Sequence, residues 1–352
     1  MWMRLGGLLL LASAASSAAD WNARGAADYL DARQKAWLEW PAATNGGSGT
    51  CISCHTNLTY MLARPSLRRA LGETAPSMWE SPLRNAMLDR LQKSTPETFA
   101  PNRKGLNAQQ ALGTESVLAA LLLADRDSRL DSLSPYTEAA FDRMWALDRG
   151  GTWTWFSTNL DPWEEPESAF YGSALAALAV GSAPGYQSRP EIQDKVKELK
   201  SYLASHAASQ PLHNRLAMLW ASTRLEGLMT PAEQKGLIDE VLSRQQPDGG
   251  WTMESLGQWK THPDAPSQAG SNAYATAMTA FVLERAGTSN AAIHHALDWL
   301  RAHQNPEGYW DAPSMNKHYE PGSMPSLFMR DAATAFASMA LAESEQRTRP
   351  TQ

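Results

Sequence analysis

With 352 residues, 43% of them hydrophobic, the chain can bury a large core without covalent staples, and it holds only two cysteines. Its net charge of −6 is spread over mixed signs, which excludes a basic stripe for nucleic acid or anionic lipid. No segment is low-complexity, so one globular unit or two closely packed halves are expected.

Arg4 is followed by the apolar run "LGGLLLLASAASSAA", which ends in small residues before Asp20. A charged start, a short apolar centre and a small-x-small site predict a signal peptide over 1–19, cleaved after Ala19. At about fifteen residues the run is short for a bilayer span, which disfavours a retained anchor. The mature chain is therefore expected to be periplasmic or otherwise exported, without a transmembrane segment.

"DYLDARQKAWLEW" then reads as an amphipathic helix, and the turn after it carries both cysteines, as Cys51-x-x-Cys54-His55. In an oxidising compartment such a pair could close into a disulfide or serve as a thioredoxin-like redox motif, but no βαβ setting is visible. No second Cys/Cys or His/His pair has the spacing of a zinc site. The adjacent imidazole favours covalent haem c: two thiols add to the two vinyl groups, and His55 reaches the iron from the same side. A second axial ligand is not readable. Met78 has the spacing seen in simple cytochromes c, while Met329, Met324, His318 and His262 are later candidates, and an open iron position is an equal alternative.

The rest of the chain reads as helix, with no convincing strand alternation. Nearly all-apolar stretches recur from near Glu115, Ser168, Asn214, Asn272 and Asp331, roughly every fifty residues, the mark of a repeat architecture. Amphipathic helices lie between them, with start signals at Ser134-Pro135, Pro190, Thr230-Pro231 and Thr288. Adding "SPLRNAMLDRLQKS" and the segment after His55 gives six outer–inner pairs. The expected fold is all-α, an (α/α)6 toroid over 20–345, with the haem-attachment turn 47–60 in its first repeat and a disordered tail over 346–352. An open superhelix has the same pairs without closure.

Three outer-to-inner turns carry Gly-x-Trp, at Gly151-Thr-Trp153, Gly249-Gly-Trp251 and Gly308-Tyr-Trp310. The last two, "QQPDGGW" and "QNPEGYW", begin with Gln and resemble the QW motif of squalene–hopene and oxidosqualene cyclases. The resemblance covers about residues 110–343. It implies a terpene cyclase/prenyltransferase-like toroid whose outer helices are tied by a Gln amide stacked on the Trp ring. The chemistry does not transfer with it. The cyclases start from Asp-x-Asp-Asp, and the nearest sequence here, "ADRDSRLD", lacks that pattern. Related prenyltransferases use an Asp/Cys/His zinc site, whereas both cysteines here lie in the first turn. The triterpene cyclases also have two toroids where this chain has one.

If the ring closes, all turns preceding inner helices gather at one end, beside His55. Glu115, Arg215 and Asp331 are the candidate catalytic residues there, with Arg215 able to pair with either acid or a haem propionate. Trp163, Glu164, Ser168, Tyr171, Asn214, Asn272, Tyr274 and Asn316 are candidates for lining a substrate cavity. Several of these are equally good helix caps or core packing residues. The long loops around Trp163, around Trp259 and His262, and from Asn316 to Met329 read as lids. The expected function is that of an exported c-type haem protein, a redox enzyme or electron-transfer protein, with an apolar, isoprenoid-like ligand cavity at the haem end and a redox partner protein. The alternatives are a plain electron carrier or haem-containing binding protein on a toroid scaffold, and less favoured, a triterpene cyclase or isomerase.

Overall fold

The computed structural model describes residues 20–44, 49–93, 95–100, 106–158, 160–260 and 262–348. The expected signal peptide and residues 349–352 of the expected tail lie outside these. Among the described residues, twelve helices of eleven or more residues alternate between two layers. The outer layer is α1 (Ala23–Glu39), α3 (Glu80–Leu91), α5 (Pro135–Ala146), α7 (Gln193–His206), α9 (Pro231–Leu242) and α11 (Ala291–Ala302). The inner layer is α2 (Asn57–Ala70), α4 (Leu106–Ser128), α6 (Ser168–Ser182), α8 (Leu212–Ser222), α10 (Ala273–Arg285) and α12 (Phe328–Thr348). α12 runs to Thr348, so residues 346–348, expected in the tail, are helical.

Each inner helix packs on the next, and α12 packs on α2, which closes the ring. The fold is an α/α toroid. Outer helices start where local chemistry dictates. Ser134 accepts from the Thr137 amide, and Thr230 forms a capping box with Glu233. Two starts differ from the sequence expectation: α11 is capped by Asn290 rather than Thr288, and Pro190 opens a short 3-10 turn before α7. Inner helices such as α6 and α10 are buried on all sides, as their apolar sequences require.

The Gln/Gly-x-Trp turns make the outer ring continuous. Trp251 Nε1 donates to Val241 O at 2.9 Å and Trp310 Nε1 to Leu300 O at 2.7 Å, each satisfying a carbonyl at the end of its own outer helix. Gln245 Nε2 donates to Ala292 O in the first turn of α11. Gln304 reaches across the ring junction, donating to Asn22 O at 3.0 Å and accepting from Asn22 N at 2.7 Å. The tie that the family resemblance implies is thus made through hydrogen bonds to the next outer helix. Gly308 permits the close approach: at φ +96°, a Cβ there would lie 2.1 Å from the Gly25 carbonyl carbon.

The axis of the ring is filled. Trp220 of α8 and Phe336 of α12 are not on neighbouring helices, yet their ring centroids are 6.2 Å apart. Phe281 and Tyr274 of α10 pack on the same Phe336. Aromatic side chains of this size bury large apolar areas, and here they close the barrel interior.

Candidate functional site

The turn before α2 is wound by its own side chains. Ser53 Oγ accepts from the amides of Thr56 and Asn57, while Asn57 Oδ1 accepts from Ser53 N at 2.9 Å. Trp37 of α1 donates its indole N–H to Cys51 O at 2.9 Å, and Cys51 N donates to Ala43 O. These bonds hold Cys51, Cys54 and His55 on one wall of a 240 Å³ cavity, whose other wall includes Thr114, Glu115, Phe156 and Glu164. Cys54 is buried, and burial pushes its thiol well above the ordinary range, so it is held as the protonated thiol.

His55 is buried and stacks on Phe328, the first residue of α12, with ring centroids 3.7 Å apart. Its Nδ1 lies 3.0 Å from Thr56 Oγ1, which itself donates to Asp331 Oδ2 at 2.8 Å. Because the threonine proton goes to Asp331, Thr56 Oγ1 accepts from Nδ1–H, and Nε2 is left unprotonated. Burial, with the Arg33 charge nearby, lowers the His55 pKa to about 3, so the imidazole is neutral at physiological pH.

Asp331 is fully buried and held from α1: Arg33 donates to both its oxygens, at 2.7 and 3.0 Å, and Tyr29 Oη donates at 2.8 Å. Burial pushes this carboxyl up while the guanidinium pulls it down. Glu115 has a parallel arrangement with Arg90 of α3, whose Nη2 and Nε donate at 2.6 and 2.8 Å. Arg90 lies over the Phe99 ring at 4.0 Å, and Arg143 on the same ring is lowered to about 10 by its burial.

Of the candidate catalytic residues, Glu115 and Asp331 therefore lie at the haem-motif end, but Arg215 does not join them. Its guanidinium pairs with Glu240 of α9 at 2.8 Å, because its position on α8 faces the outer layer. The arginines that meet the two acids are Arg90 and Arg33, on outer helices whose amphipathic patterns gave no reason to single them out.

Of the cavity candidates, Glu164 lines the thiol cavity and Trp163 packs beside His55. Both line a second space of 90 Å³ with His55, Asn316, Phe328 and Met329. Ser168 and Asn214 line a separate 380 Å³ cavity on the neighbouring flank, and Asn272 is the N-cap of α10. Tyr171 and Tyr274 belong to the barrel core. Tyr274 Oη accepts from Trp163 Nε1 at 3.0 Å and donates to His213 Nε2 at 2.8 Å, while His213 Nδ1 donates to Asn214 Oδ1. Burial lowers His213 to about 4, which keeps this buried chain uncharged.

The axial candidates separate by place. Met329 lies by His55, in the second cavity. Met324 Sδ accepts from Arg33 at 3.1 Å, and His262 faces Asp161 at 3.8 Å. His318 is exposed, tied through its backbone to Asp264. Met78 is 74% exposed in the segment after α2 and lines neither cavity beside His55.

The donor set fits a covalently attached haem. Two thiols and a neutral imidazole share one wall, and the bond at Nδ1 leaves Nε2 as the unprotonated ring nitrogen, the state in which an imidazole can bind a metal. At 240 Å³ the cavity is below the roughly 300–1,000 Å³ usual for small-molecule sites, and a porphyrin exceeds it. Leu160 and Glu164, with His55, line both this cavity and the second space.

Comparison with known proteins agrees with the architecture. Residues 219–346 match the family described as squalene-hopene cyclase C-terminal domain. A possible member of the GH105 family from Salmonella enterica serovar Paratyphi A is 13% identical, with a TM-score of 0.50 over 92% of this chain and 94% of that one. An inactive variant of the α-1,6-mannanase GH76A of Salegentibacter sp., solved with α-1,6-mannotetrose, is 11% identical, with a TM-score of 0.51 over 91% and 99%. No curated protein matches the sequence. At these identities the solved structures establish the fold alone.

Proposed function

We propose that this chain is an exported c-type haem protein with a redox role, carrying a small apolar ligand space at the haem end of the ring. The observation that carries this reading is the placement of Cys51, Cys54 and His55 on one cavity wall, with His55 Nδ1 committed to Thr56. Bound there, haem c supplies a one-electron ferric/ferrous couple. Cys51 and Cys54 would hold it through thioether bonds, and His55 Nε2 would be the nitrogen offered to the iron. Asp331 and Arg33 act as positioning residues through Thr56, and Glu115 with Arg90 sets the charge of the opposite wall. Met329, which lines the second space with His55, would be the nearest of the sulfur candidates to such a group.

A plain electron carrier is the second reading, and the filled barrel axis favours it, because no apolar substrate fits between Trp220 and Phe336. Cyclase-type protonation is less supported. The Asp-x-Asp-Asp cluster is absent, and Asp331 and Glu115 are each engaged by an arginine. The deciding experiment is expression with haem-c maturation in the periplasm, followed by ferric and ferrous absorption spectra with and without CO. CO binding supports an open iron position and a ligand-handling role. A six-coordinate spectrum indifferent to CO supports the carrier, and a chain without covalently retained haem rejects both.

A further inference from the structure

A second group of ligand-type side chains lies outside the thiol cavity, where two long loops meet. The loop between α5 and α6 supplies Asp161 and Glu165, and the loop before α10 supplies His262. One ligand atom from each of Asp161, Glu165 and His262 lies within 4.8 Å of the others, with 3.8 Å between Asp161 Oδ2 and His262 Nε2. Asp161 Oδ2, Glu165 Oε1 and His262 Nε2 are buried, and none has a hydrogen-bond partner. Asp161 is only 3% exposed.

Buried carboxylate oxygens and ring nitrogens ordinarily find partners, since leaving them bare is costly. A shared proton does not account for this group, because it would draw two of the atoms to hydrogen-bond distance, and none is that close. Nor does a simple imidazolium–carboxylate pair, which would leave Glu165 Oε1 unserved. The other charges facing the group are Glu167 and Lys260, which oppose each other and leave the two carboxylates in excess. Burial pushes Asp161 and Glu165 upward, and Asp161 adds to the effect on Glu165, so the group disfavours its own negative charge.

The loops are also braced for these positions. Asn316 clamps the Asp161 backbone from both sides, accepting from its N–H at 3.0 Å and donating to its carbonyl at 3.2 Å. Ser168 Oγ accepts from Glu165 N and donates to Pro162 O, turning the 161–168 segment so that two side chains four residues apart face one point.

We propose that Asp161, Glu165 and His262 form a divalent transition-metal site, of zinc type, that pins the loop after α5 to the loop before α10. One imidazole and two carboxylates suit zinc, whereas magnesium and calcium prefer all-oxygen shells with more ligands. Donors about 2.0–2.2 Å from a tetrahedral zinc stand about 3.4 Å apart, so side-chain rotation of a few tenths of an ångström to about 1 Å closes the site. Three protein donors leave a fourth position for water from the adjoining 380 Å³ cavity, which Asp161 and Glu165 also line. The site uses none of the residues of the thiol wall, so it stands independently of the haem reading.

The test uses full-length protein purified from zinc-supplemented cells, dialysed against a chelator and titrated calorimetrically with ZnCl2, MnCl2 and MgCl2. One zinc per chain is expected, with weaker manganese and no measurable magnesium binding, and a higher unfolding midpoint with zinc. His262→Gln and Asp161→Asn should each weaken zinc at least 10-fold, while the exposed His318→Gln leaves it unchanged. Glu165→Gln, at a half-buried position, is the variant least prone to misfolding and should show the same loss with unchanged far-ultraviolet circular dichroism. Absence of zinc binding by the wild type, or equal stoichiometry and affinity in the Glu165→Gln and His262→Gln proteins, overturns the proposal.

Discussion

Thr56 Oγ1 donates to Asp331 Oδ2 at 2.8 Å, across the junction where the first and last inner helices meet. This bond makes the orientation of His55 depend on a residue 275 positions later in the chain. Thr56→Val removes both the donor to Asp331 and the acceptor for His55 Nδ1. On the haem reading, covalent haem should still be retained, because the thiols are untouched, but the reduction potential should shift and Thr56→Ser should restore it. Loss of stability should be about 1–3 kcal/mol, since a buried acceptor loses one of its partners. An unchanged potential in the valine variant would show that Thr56 has no hold on the ligand.

Glu115 and Arg90 form a two-pronged pair with Arg90 almost wholly buried. Removing one member of such a pair strands the other, at a cost of roughly 3–5 kcal/mol. Glu115→Ala should therefore lower the urea midpoint strongly, and Glu115→Ala/Arg90→Met should recover much of the loss. A double variant as unstable as the single one would mean that the cost lies in packing rather than in the stranded charge.

Glu284 near the end of α10 titrates at about 7, raised by burial against the partial opposition of the half-exposed Arg347. Its folded pKa lies above the unfolded value of about 4.3, so the folded state holds an extra proton between them. The stabilisation is therefore complete below about pH 4 and is lost as pH rises through 7, on the order of 3–4 kcal/mol. Glu284→Gln should flatten the stability profile between pH 5 and 8, measured by denaturant unfolding at each pH. A variant with the same slope as the wild type would place the titration elsewhere.

Gln304 bridges the end of the last outer helix to Asn22 ahead of the first. Gln304→Ala should cost about 1–3 kcal/mol for three lost hydrogen bonds, two to Asn22 and one to Gly308 O, and amide exchange should quicken selectively in the first turn of α1. Gln245→Ala removes the equivalent tie between α9 and α11 and should leave α1 exchange unchanged. Equal effects of both variants on α1 would argue against a local closure.

Much of the fold was legible because its signals are local. The all-apolar inner helices, the Ser134 and Thr230 caps and the Gly-x-Trp turns each follow from residues within one turn of one another. The start of α11 was misplaced by two residues because Thr288 and Asn290 are both good caps, and only packing selects Asn290. The pairing of charges was not legible. Arg215 stands at the start of an inner helix, as the acids do, yet its rotation about that helix turns it to Glu240. Arg33 and Arg90, on outer helices, carry no local signal of burial, and they are the buried partners.

By itself the sequence determined the helix pairs, their number, and the placement of Cys51, Cys54 and His55 in the first outer-to-inner turn, because spacing along one chain sets these. Tertiary structure decided which residues from other repeats meet that turn: Phe328 and Asp331 from the sixth, Glu115 from the second, Trp163 from the loop of the third. It also decided that Met78 is exposed, that aromatic rings fill the axis, and that Asp161, Glu165 and His262 converge. Ring closure and helix rotation set those contacts, and both depend on packing summed around the whole barrel, which no local stretch encodes.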